Sequence, residues 1–235
     1  MKKNVFVSGL AVAALLFTLT SCDEDDDVME QQNARVLVVH ASPNAPAVDL
    51  LVDDKKVNTS ALAYPNNTGY LTVGAGNHNI KVNATGTNNS VINANVDLMK
   101  GAAYTVFAYD VVSAIKPLVV MDNLATPASG KAHIRFMHLS PNAPAVTVGV
   151  LAGSNFMPLF SNRSFETAAT ATANQAFISV DAGTFTVQVR AAGTNDAVLT
   201  VPNVTLQAGK IYTVFAQGLV GNSTSPLGAS VIMPN

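Results

Sequence analysis

A phrase that the chain contains twice sets the strongest limit on its fold. HASPNAPAV, residues 40–48, returns as HLSPNAPAV, residues 138–146, at an offset of 98 positions. Further blocks repeat in the same order, and the offset grows only between blocks, which places insertions in connections rather than in strands. Ordered repeats of this length indicate two copies of one domain. The paired blocks are 34–52 with 132–150, 70–76 with 177–183, 98–108 with 206–216, and 119–123 with 230–235.

Within each copy, apolar and polar residues alternate. Val48, Leu50 and Val52 alternate with Asp49 and Asp53, which is typical of strands with one solvated face. We therefore predict an all-β fold of two tandem antiparallel Greek-key β-sandwiches, immunoglobulin- or fibronectin-III-like, with about seven strands each. The predicted segments are a first sandwich over 34–123, a linker over 124–131 and a second sandwich over 132–235.

The repeated phrase itself fits a stiff corner between two strands. Proline suits the second position of a type I turn, and the two prolines of each phrase remove donors from any sheet ladder. The alternative is a recognition loop. The motif Leu-x-x-Gly-x-x-Tyr, also present twice, resembles the tyrosine corner of Greek-key sandwiches. The predicted structural residues are His40, Pro43, Pro46, Tyr104, His138, Pro141, Pro144 and Tyr212.

The N-terminus reads as a lipoprotein signal peptide over residues 1–21. Lys2 and Lys3 precede a short apolar run that ends in Leu19, Thr20, Ser21 and Cys22, a sequence that resembles a bacterial lipobox. Cys22 is the one cysteine of the chain, so we predict that it carries the lipid and that no internal disulfide forms. Acyl chains on Cys22 would hold the protein to a membrane.

Five consecutive acidic residues, 23–27, open a predicted solvated tether over residues 22–33. Such a run resembles a surface-export signal in some two-membrane bacteria, and an aspartate after the cysteine resembles an inner-membrane retention signal in others. We favour an outer-membrane, cell-surface location and leave a periplasmic one open. Without Lys2, Lys3 and these acids, the body carries 11 basic and 10 acidic residues, which argues against nucleic acid as a partner.

The sequence contains no recognisable catalytic, metal or cofactor motif. His40 with Ser42, and its counterpart His138 with Ser140, invite a hydrolase interpretation, but no acid recurs in both copies to orient the histidine. No His, Asp or Glu cluster has metal-ligand spacing. We therefore expect a non-enzymatic interaction, adhesion or structural module that contacts a surface protein or a glycan, and keep a carbohydrate-binding module and, remotely, a hydrolase as alternatives.

Two connections are candidate binding loops. The first is a polar, aromatic-bearing connection in copy one, and the second is a longer connection in copy two that varies on the repeated scaffold. The candidate residues are Tyr64, Asn66, Asn67, Arg163, Phe165 and Glu166.

These repeated segments together resemble a known family. RVLVVHASPNAPAVDLLVD, TVGAGNHNIKV and the closing LxxGxxYTVFA are similar to the bacterial domain-of-unknown-function family 4397, in two copies over 34–235. The second copy departs from the pattern at Arg135 and Met137 of its first strand. The resemblance implies a sandwich fold and an exported location, and it implies no chemistry.

Overall fold

The computed structural model describes residues 32–233, and the predicted signal peptide and lipobox lie outside this range, as does nearly all of the tether. The first half contains β1 (Asn33–Ala41), β2 (Val48–Val52), β3 (Lys55–Lys56), β4 (Asn67–Gly74), β5 (Gly76–Ala84), β6 (Ser90–Leu98), β7 (Ala103–Tyr109) and β8 (Lys116–Met121). The second half contains β9 (Lys131–His138), β10 (Val146–Ala152), β11 (Asn155–Arg163), α1 (Ala168–Asn174), β12 (Ile178–Asp181), β13 (Gly183–Ala191), β14 (Ala197–Leu206), β15 (Ile211–Gln217) and β16 (Gly228–Ile232).

The strands form four sheets of four strands each. In the first half, sheet A has the order β4-β1-β7-β8 and sheet B the order β3-β2-β5-β6. In the second half, sheet C has the order β12-β9-β15-β16 and sheet D the order β11-β10-β13-β14. The two halves therefore have the same strand order, strand for strand. The predicted all-β sandwich class is confirmed.

Each half has eight strands, close to the predicted number of about seven. Two details of the predicted sandwich are wrong. The sheets are not wholly antiparallel, because β1 runs parallel to β7 and β9 runs parallel to β15. The order also differs from that of an immunoglobulin domain, whose first two strands share a sheet, whereas β1 and β2 lie in different sheets.

Three apolar clusters stack the sheets in the layer order B, A, C, D. One cluster joins sheets A and B, and another joins sheets C and D. The third lies between sheets A and C, so β1 is buried on both faces: Val36 and Val38 face sheet B, whereas Leu37 and Val39 face the second half. Strands that are covered on both faces typically have few polar residues. Because sheet A is packed between sheets B and C, β1 and β7 lack the solvated face that we expected from the alternation in other strands.

Equivalent positions of the repeated blocks meet where sheets A and C pack together. Phe107 and Phe215, at the same place in the blocks 98–108 and 206–216, contact each other edge to face with ring centroids 5.7 Å apart. Val120 and Ile232, at the ends of β8 and β16, belong to the same buried cluster. The contact between the halves thus resembles the self-complementary interface of a two-fold dimer.

A buried ion pair lies in this interface. Arg135 Nη2 lies 2.6 Å from Asp122 Oδ1, and both side chains are 1% exposed. Arg135 also donates to Thr213 Oγ1 at 2.9 Å and to Thr105 Oγ1 at 3.1 Å, while the hydroxyl of Tyr70 donates to Asp122 at 2.6 Å. Burial lowers the pKa of Arg135, and the charge of Asp122 opposes that shift. Asp122 follows β8 and Arg135 lies in β9, so the network joins the two halves.

Candidate functional site

The two repeated phrases form buried corners. His40 Nε2 donates to the carbonyl oxygen of Pro46 at 2.9 Å, and His138 Nε2 donates to that of Pro144 at 3.1 Å. Both histidines are fully buried. Burial lowers the pKa of each imidazole below 6.5, and the hydrogen bond to the proline carbonyl opposes the shift. Neither ring is accessible to a substrate, because each already closes its own corner.

The rest of each phrase fastens the loop after the parallel strand. Asn44 Oδ1 accepts from the backbone N–H of Val112 at 2.9 Å, and Asn142 Oδ1 accepts from that of Val220 at 2.9 Å. The hydroxyl of Ser140 donates to a backbone carbonyl in the same loop. Pro43 also accepts a hydrogen bond, through its carbonyl, from Ser225 of the second half. The phrase thus forms hydrogen bonds within its own half in both cases, which hold the corner to the loop after the parallel strand.

The two tyrosines join the sheets of their own sandwich. The Tyr104 hydroxyl accepts from the backbone N–H of Met99 at 3.0 Å, and the Tyr212 hydroxyl accepts from that of Gln207 at 2.9 Å. Gly101, between Met99 and Tyr104, has a φ of 72°, which a glycine adopts without strain. Each tyrosine therefore holds the crossover from the outer sheet to the inner one.

Two of the three candidate residues of the second half, Phe165 and Glu166, lie in the interface between the halves. Phe165 packs on Tyr109 with ring centroids 5.3 Å apart. Glu166 is fully buried; its carbonyl accepts from the Tyr109 hydroxyl at 3.0 Å, and its carboxylate accepts from Asn174. Arg163 lies over the ring of Phe160. Phe165 and Glu166 therefore contact the first half, whereas the recorded ring contact of Arg163 lies within the second half.

The candidate connection of the first half borders an open groove, and a short strand creates it. In the second half, β11 pairs with β10 from Val146 to Ala152. In the first half, β3 pairs only with Leu51 and Val52 at the end of β2. The segment 57–66 lies along the rest of this edge of β2 and is not a strand, apart from an isolated bridge between Leu62 and Val48.

The side chain of Asn58 forms hydrogen bonds to backbone groups of β2 that a neighbouring strand would otherwise bind. Its Oδ1 accepts from the backbone N–H of Leu50 at 2.8 Å, and its Nδ2 donates to the carbonyls of Val48 at 3.2 Å and Ser60 at 2.8 Å. Leu62 then exchanges two backbone hydrogen bonds with Val48, at 2.8 and 3.0 Å. These bonds fix the segment against β2, so that one wall of the groove is rigid.

The groove has a volume of about 300 Å³ and lies between the segment 57–63 and the start of β4. Within the described residues, the side chains of Thr59, Ser60 and Asn66 are exposed and no intramolecular hydrogen bond engages them. The remaining lining residues are polar or apolar but carry no charge. The lining consists of Val57, Asn58, Thr59, Ser60, Ala61, Leu62, Ala63, Asn66, Asn67, Thr68 and Leu71.

Only two of the three predicted residues of this connection line the groove. Asn66 and Asn67 line the groove, whereas Tyr64 does not. The Tyr64 ring packs edge-on against His40, with centroids 6.1 Å apart, and burial raises the pKa of its phenol. Thr59 and Ser60 were missed from the sequence, although the stretch NTSALAYPNNT that contains them is rich in asparagine, serine and threonine.

Two further features concern metals and membranes. Among residues 32–233, no three His, Cys, Asp or Glu side chains come close enough together to hold a metal ion. In the same range no helix has the length and apolar character needed to span a bilayer.

Comparison with protein families gives one match. The model described as "Domain of unknown function (DUF4397)" matches residues 34–149, which is the whole first half together with β9 and the start of β10. No curated protein matches the sequence.

Three solved structures are similar to the chain at low sequence identity. A candidate cell adhesion protein from Parabacteroides distasonis is 10% identical, with 87% of this chain and 99% of that one covered and a TM-score of 0.24. The family 26 carbohydrate-binding module CBMbc of Eubacterium rectale Amy13K, in complex with maltoheptaose, is 10% identical over 85% and 96%, with a TM-score of 0.26. A candidate adhesin from Bacteroides ovatus is 9% identical over 85% and 92%, with a TM-score of 0.22. At these TM-scores the likenesses carry no argument about function.

Proposed function

We propose that the chain is a non-enzymatic binding protein of the bacterial cell envelope, which serves adhesion or interaction at the cell surface and engages its ligand in the groove of the first half. The observation that carries this proposal is the groove: a concavity of about 300 Å³ with a fixed wall and exposed polar side chains. Concave sites with a few convergent polar groups are the default binding-site hypothesis in a structure.

The envelope location rests on the N-terminal sequence. Cys22 follows Leu19, Thr20 and Ser21 as the lipid-bearing cysteine of a lipobox does, and the acidic run after it supplies a solvated tether. We propose further that the two halves are copies of one domain, which the shared strand order and the contact between Phe107 and Phe215 support.

The packing of the histidines favours a binding role over a hydrolytic one. A hydrolase interpretation needs His40 or His138 as a base beside a serine hydroxyl that substrate can reach. Both rings are fully buried and donate from Nε2 to a proline carbonyl, and Ser140 is buried and donates to a backbone carbonyl. These groups therefore serve the corner.

Adhesion of whole cells tests the proposal. A deletion strain is complemented with the wild-type gene, with Cys22→Ala, or with Ala61→Trp, whose indole ring fills the groove. Adhesion is measured on surfaces coated with extracellular material from the same culture. We expect the deletion, Cys22→Ala and Ala61→Trp strains to adhere less than the wild type, and a matched Ala229→Trp variant, on exposed β16, to adhere normally. Equal adhesion of the deletion and wild-type strains would refute the proposal.

A further inference from the structure

We infer that the ligand of the groove is a neutral oligosaccharide. This inference rests on the proposed function, because it names the chemistry of the ligand at the same site. Five properties of the groove carry it: its lack of charge, its hydrogen-bonding groups, its apolar lining atoms, its fixed walls and the irregular edge of β4.

The absence of charged side chains from the groove disfavours ionic ligands. None of the lining residues carries a charged side chain. A carboxylate, sulfate or ammonium group that enters such a site gives up hydration without gaining an ionic partner, which is unfavourable. The groove thus favours a ligand that is polar and uncharged.

The hydrogen-bonding groups match those of sugars. A hydroxyl both donates and accepts, and a carboxamide offers donors and an acceptor side by side. Thr59, Ser60 and Asn66 have these groups free within the described structure. Asn67 uses its Oδ1 to accept from the backbone N–H of Gly69 at 3.0 Å, so no internal bond in this part of the chain engages its amide nitrogen. Adjacent sugar hydroxyls, which also both donate and accept, can pair with each of them.

Apolar atoms complete the site. Val57, Ala61 and Leu71 line the groove beside the polar groups and can contact the C–H face of a sugar ring. The volume lies at the low end of the range of roughly 300–1,000 Å³ for small-molecule sites. A short stretch of oligosaccharide fits this size.

The walls are held in place before any ligand arrives. Asn58 fixes one wall to β2, as described above, and on the other wall the hydroxyl of Thr68 accepts from the backbone N–H of Val38 at 3.1 Å. Little additional ordering is therefore needed on binding, which preserves affinity for a ligand that makes only neutral hydrogen bonds.

A peptide that adds a strand to β4 is the main competing ligand, since β4 is an edge strand of sheet A. The edge is irregular where it borders the groove. The pairing of β1 with β4 shifts register between Leu37 and Val39, and Gly69 opposite this shift has a φ of 69°. An irregularity of this kind bends a strand and ends regular pairing, which disfavours strand addition here.

Binding to a glycan array, followed by calorimetry, tests the inference. The mature lipidated chain is used in a detergent without a sugar headgroup. The probes are neutral oligosaccharides (maltoheptaose, mannopentaose and chitopentaose among them), acidic ones (sialyllactose and oligogalacturonate) and extended peptides. We expect binding to a neutral oligosaccharide, with a Kd that changes less than about twofold between 50 and 500 mM NaCl because no charges are paired.

A matched pair of double variants locates the site. Thr59→Ala with Ser60→Ala should weaken binding about tenfold or more, because two hydrogen bonds are lost. Ser223→Ala with Thr224→Ala removes two equally exposed hydroxyls of the second half and should leave the Kd unchanged. Both variants should unfold at the same urea concentration as the wild type, since the four hydroxyls have no intramolecular partner in the described structure.

The outcomes separate this inference from the proposed function. Neutral-glycan binding that the first double variant weakens supports both. If cell adhesion depends on the groove but only acidic sugars or peptides bind, or nothing on the array binds, the glycan inference is overturned and the proposed function stands. Periodate and protease treatment of the coated surface give the same separation, because periodate cleaves sugar diols and protease removes peptide ligands.

Discussion

Removal of Asp122 from the buried interface should cost a large fraction of the stability of the protein. Asp122→Ala leaves the guanidinium of Arg135, which is 1% exposed, without its anion, and deprives Tyr70 and Thr105 of their acceptor. Breaking a buried ion pair from one side typically costs about 3–5 kcal/mol. We therefore expect Asp122→Ala to lower the free energy of unfolding by about that amount.

An exposed ion pair of the same length gives the control. Lys131 Nζ and Asp181 Oδ1 are also 2.6 Å apart, but their side chains are 40% and 79% exposed. Exposed pairs are worth about 0–1 kcal/mol, so Asp181→Ala should have little effect. The two pairs are equal in length but differ in burial and in the further hydrogen bonds that Asp122 accepts.

Urea unfolding at pH 7, arranged as two double-mutant cycles, measures the difference. The cycle of Asp122→Ala and Arg135→Ala should give a coupling energy of at least about 2 kcal/mol, and the cycle of Lys131→Ala and Asp181→Ala less than about 1 kcal/mol. The m-values should be compared first, because a second transition would show that the halves unfold separately. Equal coupling in the two cycles, or a cost below about 1 kcal/mol for Asp122→Ala, would refute the reasoning.

Three further changes have defined outcomes. Asn58→Ala should lower the free energy of unfolding by about 1–3 kcal/mol in urea, because it leaves the backbone N–H of Leu50 without its acceptor; no loss would mean that the segment 57–66 is held otherwise. The free energy of unfolding should fall as the pH drops below 6.5, because burial lowers the pKa of His40 and of its counterpart in the folded state, so that the unfolded chain binds more protons. His40→Gln should reduce this dependence of stability on pH, and an unchanged dependence would contradict the role given to His40. Gly149→Ala places a Cβ 2.3 Å from the carbonyl oxygen of Met157, whereas Gly228→Ala meets nothing nearer than 3.9 Å; calorimetry should show a Tm several degrees lower for the first alone, with a cost of about 1–3 kcal/mol, and equal Tm values would contradict the packing described for β10.

The local architecture could be predicted from the sequence because it depends on short-range patterns. Alternation of period two indicated the strands, the double-proline phrase indicated a corner, and Leu-x-x-Gly-x-x-Tyr indicated the crossover that Tyr104 and Tyr212 hold. These features are set by residues within a few positions of one another, so the sequence displays them directly.

The packing between the halves could not be predicted in the same way, because it joins residues that are far apart in the chain. Arg135 and Met137 both face the first half, and they differ from Leu37 and Val39 at the matching positions of the repeated block. Phe165 and Glu166 lie in the longer connection of the second half, and both contact the first half. In β7, Ala103–Tyr109, every residue is buried, and its one residue that is neither aliphatic nor aromatic, Thr105, belongs to the network of Arg135 and Asp122.

Only part of the groove lining was predicted from the sequence. Asn66 and Asn67 lie in a polar connection that indicated a ligand contact, whereas Tyr64, selected as an aromatic platform, packs against His40 instead. The role of Asn58 depends on where β3 ends. A strand of two residues is too short to show an alternation of apolar and polar residues, so the sequence does not indicate its end. The wall of the groove that Asn58 fixes is therefore recognised only from the structure, in which β3 pairs with only two residues of β2.

Amide chemical-shift mapping by NMR tests the central claim most directly. A neutral oligosaccharide that binds on the array is titrated into the isotopically labelled protein, and the shifted amides are mapped along the chain. The largest changes should fall within residues 57–71, with the second half unaffected and with clearly smaller shifts in the Thr59→Ala, Ser60→Ala variant at the same sub-saturating ligand concentration. Shifts centred on the outer faces of sheets B or D, or in the second half, would contradict the assignment of the groove as the binding site.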